Sequence, residues 1–223
     1  MCVAVGVIVE RAAYKPVREK GNSMTALITA IAMSLLLENG SQAIFGADFQ
    51  TVPTIFHLPS IAFGKLKLPG DTLLTIVIGL VIMVGLQLFV KFTRQGKAMR
   101  AVAEDRSAAE LMGISVNKTI TLTFAIGSAL AAVAGVLLCS NFHALSPYTG
   151  SMPGIKAFVA AVFGGIGSIP GAMVGGILLG VIENLSKGYI STQLSDAIVF
   201  LVLILVLLVK PTGIFGKKVN KKV

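Results

Sequence analysis

The sequence predicts an all-α fold, a polytopic transmembrane helix bundle with a cytoplasmic helix between two of its spans. Three observations carry that expectation. Of the 223 residues, 55% are apolar and only 13% are Asp, Glu, Lys or Arg, about half the ~25% charged content of soluble domains. The mean hydropathy is +0.87. The apolar residues also fall in runs long enough to cross ~30 Å of hydrocarbon at ~1.5 Å per residue. Such a chain carries more apolar surface than a soluble core could hide. Disorder, a solvated nucleic-acid-binding surface and most soluble enzymes are thereby excluded.

Cys2 to Val9 is apolar but too short to cross a bilayer, so residues 1–9 are expected to be a partial span. No positive region precedes it and Arg11, Lys15, Arg18 and Lys20 follow, the reverse of a signal peptide. The stretch reads as the last turns of a helix whose beginning is absent, as a chain begun at an internal methionine, or as a short interfacial anchor. Further membrane segments are expected at 24–45, interrupted by Glu38, Asn39 and Gln42; at 72–92, uncharged from Thr72 to Val90; and at 119–139, uncharged throughout. Another is expected at 194–210, whose Leu/Val/Ile run closes with Lys210 and Pro211.

Charge decides how the remaining stretch is divided. Residues 157–182 are uncharged but broken by seven glycines and Pro170. Fifteen of the 19 basic residues lie in 10–23, 91–118 and 210–223, which the positive-inside rule assigns to the cytoplasm. The segments 46–70 and 184–193 hold only Lys65, Lys67 and Lys187. A single crossing of 157–182 would put the terminal lysines outside. Two shorter passes, 153–168 and 170–186, restore the rule, each short enough for a broken or re-entrant helix packed within the protein. Residues 1–223 then form a single transmembrane domain with a cytoplasmic C-terminus. Tyr14 at the inner boundary, with Tyr148 and Tyr189 at the outer one, agrees.

Gly127, Ala131 and Gly135 share one helix face, and Gly171/Gly175 and Gly176/Gly180 repeat the spacing. In lipid, small residues let helices approach closely, so these stripes serve either packing within the chain or contact between subunits. The run from Gly164 to Gly171 is too glycine-dense for a regular helix, and it lacks the Lys-Ser/Thr of a phosphate loop. Cys2 and Cys139 give no disulfide signal, and His57 and His143 have no ligand-spaced partners for a metal.

Residues 93–117, TRQGKAMRAVAEDRSAAELMGISVN, suit one or two polar helices that end at Gly113. A small-residue face exposed between two spans is expected to dock onto another protein, or else to lie solvated on the membrane surface. Glu38 and Asn39 in one apolar segment, with Glu183 and Asn184 ending another, are the substrate-path candidates. Facing a cavity they could meet an ammonium group; at the interface they would simply sit in water. Thr29 and Ser34 are expected to bond to their own helix backbone.

The stretch GKAMRAVAEDRSAAELMGISVNKTITLTFAIGSALAAVAGVLL, then SPYTGSMPGIKAFVAAVFGGIGSIPGAMVGGILLGVIENL and KPTGIFG, resembles the Liv-type inner-membrane permeases of branched-chain amino acid ABC transporters. ERAAYKPVR and TALITAIAMSLLLEN are similar to the early region of that family, so the likeness is collinear from about Val9 to Gly216. The resemblance implies a multi-pass subunit of the bacterial plasma membrane, apparently shortened at its N-terminus. It has no cofactor and no catalytic site of its own, because ATP is bound by a partner. The implied partners are a second permease subunit, two cytoplasmic ATPases, an extracytoplasmic substrate-binding protein and membrane lipid, with no nucleic acid. Segment 93–117 would be the coupling helix, whose motif of Glu-Ala-Ala, three residues and Gly is matched at Ala108, Ala109 and Gly113, with Ser107 in place of Glu. Gly96, Arg100, Glu104 and Asp105 belong to the same stretch without individually assigned roles. Permeases for urea or short amides, and an ion-coupled secondary transporter, are the alternatives.

Overall fold

The computed structural model describes residues 1–20, 23–52, 61–63, 66–142, 144–210 and 212–216. His57, Lys65, His143, Pro211 and Lys217 lie outside the described residues. The elements run α1 (Cys2–Val9), a π-helical turn (Glu10–Tyr14), α2 (Lys15–Lys20), α3 (Ser23–Phe45), β1 (Gln50–Thr51), β2 (Ile61–Phe63), β3 (Leu66–Leu68) and α4 (Gly70–Phe92). They continue with α5 (Arg94–Glu104), α6 (Arg106–Leu111), α7 (Val116–Asn141), β4 (Ala144–Leu145), α8 (Ser151–Gly164), α9 (Ile169–Tyr189) and α10 (Ser195–Val209). The strands are short antiparallel pairs, with Gln50 opposite Leu145 and Ile61 opposite Leu68. The chain is an all-α helix bundle.

The first helix differs from the expected stub and connecting loop. Helical structure continues from Cys2 through Lys20. The π turn explains how it passes Pro16. Proline has no N–H and its ring clashes with the preceding turn. Widening that turn, so that the Lys15 N–H reaches the Glu10 carbonyl, relieves the clash without ending the helix.

Among the described residues, four helices are long and apolar enough to cross a membrane: Ile28–Phe45, Gly70–Phe92, Val116–Asn141 and Ile169–Tyr189. Their side chains, such as Ile28 and Val81, stand exposed as lipid-facing residues do. Helices α8 and α10 are apolar too, but have 14 and 15 residues. At ~1.5 Å per residue each falls short of ~30 Å of hydrocarbon.

The chain forms two compact units, one of Met1–Val81 with Leu88–Thr149, the other of Ile82–Gln87 with Gly150–Val223. In the first, α1 packs along α7, and α5 and α6 also contact α7. Gly6 lies directly against Ser128 there. In the second, α8 packs along α9 and α10 contacts both, around Val159, Ala160, Phe163, Leu179 and Val199. The small-residue stripes behave differently. A Cβ at Gly171 would come 2.5 Å from the Gly164 carbonyl oxygen, and one at Gly175 would come 2.5 Å from that of Ala160. The α8–α9 contact therefore depends on bare backbone at those positions. A Cβ at Gly127 or Gly135 meets nothing within 4 Å among the described residues, so neither glycine is in tight contact there.

The glycine-dense run is the α8–α9 junction. Helix α8 ends at Gly164, and Ser168 caps α9 by accepting from the Gly171 N–H at 3.1 Å, with Pro170 in the first turn. That is the place where proline's missing N–H costs nothing.

Candidate functional site: the α5–α6 arm and the membrane carboxylates

The segment between α4 and α7 folds as two capped helices. Thr93 opens α5, its hydroxyl accepting from the Gly96 N–H at 3.0 Å. Asp105 opens α6, one carboxylate oxygen accepting from Ser107 N–H at 2.9 Å and Ala108 N–H at 3.1 Å. Side-chain acceptors of this kind satisfy amide groups that a helix start leaves orphaned. Gly113 closes α6 with φ +81°. Its N–H reaches the Glu110 carbonyl at 2.9 Å, and the Ile114 N–H reaches that of Ala109 at 3.0 Å, the paired bonds of a Schellman motif.

The expected coupling residues divide into two groups. Gly96 is buried, and a side chain there would collide with the backbone of Phe89 and Val90, so it lets α5 fold back tightly on the end of α4. Ala109 is buried at 3% exposure. Arg100, Glu104, Asp105, Ala108 and Gly113 are exposed, and Arg100 donates to the Lys91 carbonyl at 3.3 Å. The residues best presented to a partner are two the sequence pattern passed over, Leu111 and Met112, which are 90% and 82% exposed. Their signal was available: two large apolar residues stand immediately before a helix-ending glycine in an otherwise polar segment.

The carboxylate pairs sit in different units. Glu38 accepts from the Ser34 hydroxyl at 3.4 Å, while Asn39 donates to its own helix at the Leu35 carbonyl, 2.7 Å away. Thr29 likewise bonds back to the Thr25 carbonyl at 2.8 Å. An apolar hollow of about 880 Å³ in the first unit is bounded by residues of α1, α3 and α7, including Ser34 and Leu37, but not by Glu38 or Asn39. In the second unit Glu183 accepts from Lys156 at 2.8 Å and from Lys187 at 2.6 Å. Lys156 also pairs with Asp196 at 2.8 Å. This network joins α8, α9 and α10 and already neutralises Glu183. Asn184 donates to the Gly180 carbonyl of its own helix at 2.9 Å.

A further cluster was not singled out from sequence. Glu10, 1% exposed, accepts from Arg18 at 3.3 Å and from the Thr121 hydroxyl at 2.9 Å, and Arg18 also donates to Asn117 at 2.8 Å. Eight residues separate Glu10 from Arg18, which on a regular helix turns them apart by roughly 80°. The one-residue π expansion makes the separation equivalent to seven, within roughly 20° of two full turns. The turn therefore brings the pair to one face.

Long apolar helices around a capped polar arm define a multi-pass membrane protein. The chain belongs to the family described as branched-chain amino acid transport system / permease component, which matches residues 1–207. It is 46% identical to the high-affinity branched-chain amino acid transport system permease protein LivH of Salmonella typhimurium, over 99% of this chain and 72% of that one. It is 45% identical to BraD of Pseudomonas aeruginosa, a permease protein of the same description, over 99% of this chain and 73% of that one. Similarity extends to a probable branched-chain amino acid transport permease protein LivH of Methanocaldococcus jannaschii, 30% identical over 95% of this chain and 71% of that one. No solved structure matches the chain.

Proposed function

We propose that this chain is the membrane subunit of an ATP-driven importer of branched-chain amino acids, with the α5–α6 arm gripped by a separate cytoplasmic ATPase. The observation that carries the reading is the pairing of exposed Leu111 and Met112 with a rigid base. The caps at Thr93 and Asp105 shape the arm, Gly96 seats it against the end of α4, and Ala109 is buried. Exposed apolar residues on a fixed element can transmit force. On a slack loop they could not. Ala108 and Gly113 complete the gripped surface, while Arg100, Glu104 and Asp105 supply charge at its margin. ATP-driven closure of the ATPases would move the arm as a rigid body and shift the permease between inward- and outward-open states.

The remaining partners would be a second permease subunit and an extracytoplasmic binding protein, in a bacterial plasma membrane, with the basic segments and the C-terminus in the cytoplasm. For the substrate path, Glu38 and Asn39 are the candidates for meeting an ammonium group, with the hollow beside Ser34 and Leu37 available to an aliphatic side chain. Glu183, held by the lysine network, and Asn184, held by the Gly180 carbonyl, would shape the path rather than offer it a free carboxylate.

The test is co-reconstitution with the partner ATPase in proteoliposomes. Leu111→Asp with Met112→Asp is expected to abolish leucine uptake and substrate-stimulated ATP hydrolysis while the protein remains folded. Uptake unchanged in that double variant would refute the docking assignment.

A further inference from the structure

Where the apolar stretch of α1 ends and α7 begins, the first unit holds an open pocket of about 550 Å³. Arg11, Lys15 and Lys118 line it, together with Asn117, Thr121 and the Glu10 carboxylate. The charge there is unbalanced. Glu10 is already paired with Arg18, and none of Arg11, Lys15 and Lys118 makes an ion pair among the described residues. Three unneutralised cations thus converge on a cavity whose lone acid is committed to a fourth. Cations lining one pocket repel one another, and an anion joining them relieves that repulsion.

Position narrows the anion. The Cys2–Val9 run, apolar throughout, stops at Glu10, and the membrane-crossing helix Val116–Asn141 starts two residues before Lys118. The pocket therefore lies at the boundary between apolar and polar sequence on both helices, the depth at which the phosphates of a bilayer would stand. Leu122 and Ala125 continue its wall toward the apolar side, where glycerol and acyl chains would follow a headgroup. We propose that this pocket binds the phosphate headgroup of an anionic phospholipid, with Arg11, Lys15 and Lys118 as its ligands. Basic pockets at the ends of membrane helices take acidic headgroups in this way. The assignment does not depend on which amino acid the protein moves.

The probe is phosphatidylglycerol, carried with the purified full chain through detergent washing and counted by native mass spectrometry. Wild type is expected to keep it in preference to phosphatidylethanolamine. The variant Arg11→Gln/Lys15→Gln/Lys118→Gln is expected to keep about a hundredfold less, since each lost charge contact weakens binding by about fivefold. Lys15→Arg/Lys118→Arg, which preserves charge, should retain wild-type levels, and matching melting temperatures in neutral detergent would establish that the glutamine variant is folded. Equal retention by wild type and the glutamine variant, or equal retention of the zwitterionic lipid, would overturn the proposal. Displacement of the lipid by millimolar inorganic phosphate would reassign the site to a free anion and overturn it as well.

Discussion

The backbone N–H of Ile214 donates to the carbonyl of Phe163 at 2.9 Å, and its neighbour Phe215 donates to Gly164 at 3.0 Å. Two of the orphaned carbonyls at the end of α8 are thereby satisfied by a segment fifty residues away. Lys210 reinforces the turn from α10 by donating to the Ile214 carbonyl at 2.6 Å. Gly213 makes the approach feasible: its φ is +77°, and a Cβ there would lie 2.6 Å from the Val162 carbonyl oxygen.

Gly213→Val is accordingly expected to release this segment from α8, destabilising the protein by about 2–4 kcal/mol through backbone strain and lost hydrogen bonds. Gly213→Ala should be milder but still measurable. Thermal denaturation of the purified protein in detergent reads the effect directly. A valine variant melting with wild type would show that the contact contributes nothing.

Much of this architecture was legible in advance because long apolar runs leave few alternatives. Helices α4 and α7 follow from their uncharged lengths. Charge parity divided the glycine-rich stretch into passes at 153–168 and 170–186, whereas the helices are Ser151–Gly164 and Ile169–Tyr189, so the break falls within the first of those segments. What the sequence concealed depended on contacts between distant residues. The basic run after Val9 looked like a connection because its charges were read one by one. Its helix persists because Glu10 finds Arg18 and Thr121. Equivalent four-residue spacings of small residues also hid opposite fates, since a Cβ at Gly171 would meet the backbone of α8 and one at Gly127 meets nothing within 4 Å among the described residues. The arm was recognisable from its helix formers and terminal glycine. That Ala109 is buried while Leu111 and Met112 stand out is set by tertiary packing, which no local pattern encodes.

Gly113 separates a requirement of the arm's shape from a requirement of its surface. Left-handed backbone costs an ordinary side chain roughly 1–2 kcal/mol, and Asn tolerates it better than most. Gly113→Asn should therefore preserve ATPase stimulation and uptake. Gly113→Val should reduce both by loosening the end of α6 and with it the position of Leu111 and Met112. Equal activity in the two variants would mean that the Schellman closure is dispensable.

The Glu10–Arg18 pair lends itself to a double-mutant cycle. Arg18→Met leaves the buried Glu10 carboxylate without its ion-pair partner, its described hydrogen bond then coming from the Thr121 hydroxyl, and is expected to cost about 3–5 kcal/mol. Glu10→Gln with Arg18→Met removes both charges and should cost markedly less, because no uncompensated ion remains. Melting temperatures of the two single variants and the double variant give the coupling. Additive losses would show that the two groups do not interact.

Glu183 distinguishes a structural carboxylate from one that meets substrate. Two lysine amines lie within 2.8 Å of it, and one of them also holds Asp196 at 2.8 Å. The carboxylate is partly exposed, so solvent weakens these attractions, and an exposed pair contributes up to about 1 kcal/mol. Glu183→Gln keeps the shape and one acceptor but leaves two lysines facing each other, with Asp196 their sole nearby counter-charge among the described residues. A modest loss of thermal stability is expected, together with uptake that falls only as far as the folded fraction falls. Leucine affinity per folded molecule should be unchanged, because a carboxylate held by two amines has little to offer a third. Lys187→Met should spare stability more than Lys156→Met, since Lys156 alone bridges three helices. A selective rise in the KM for leucine with Glu183→Gln, at unaltered stability, would instead place this carboxylate on the substrate path.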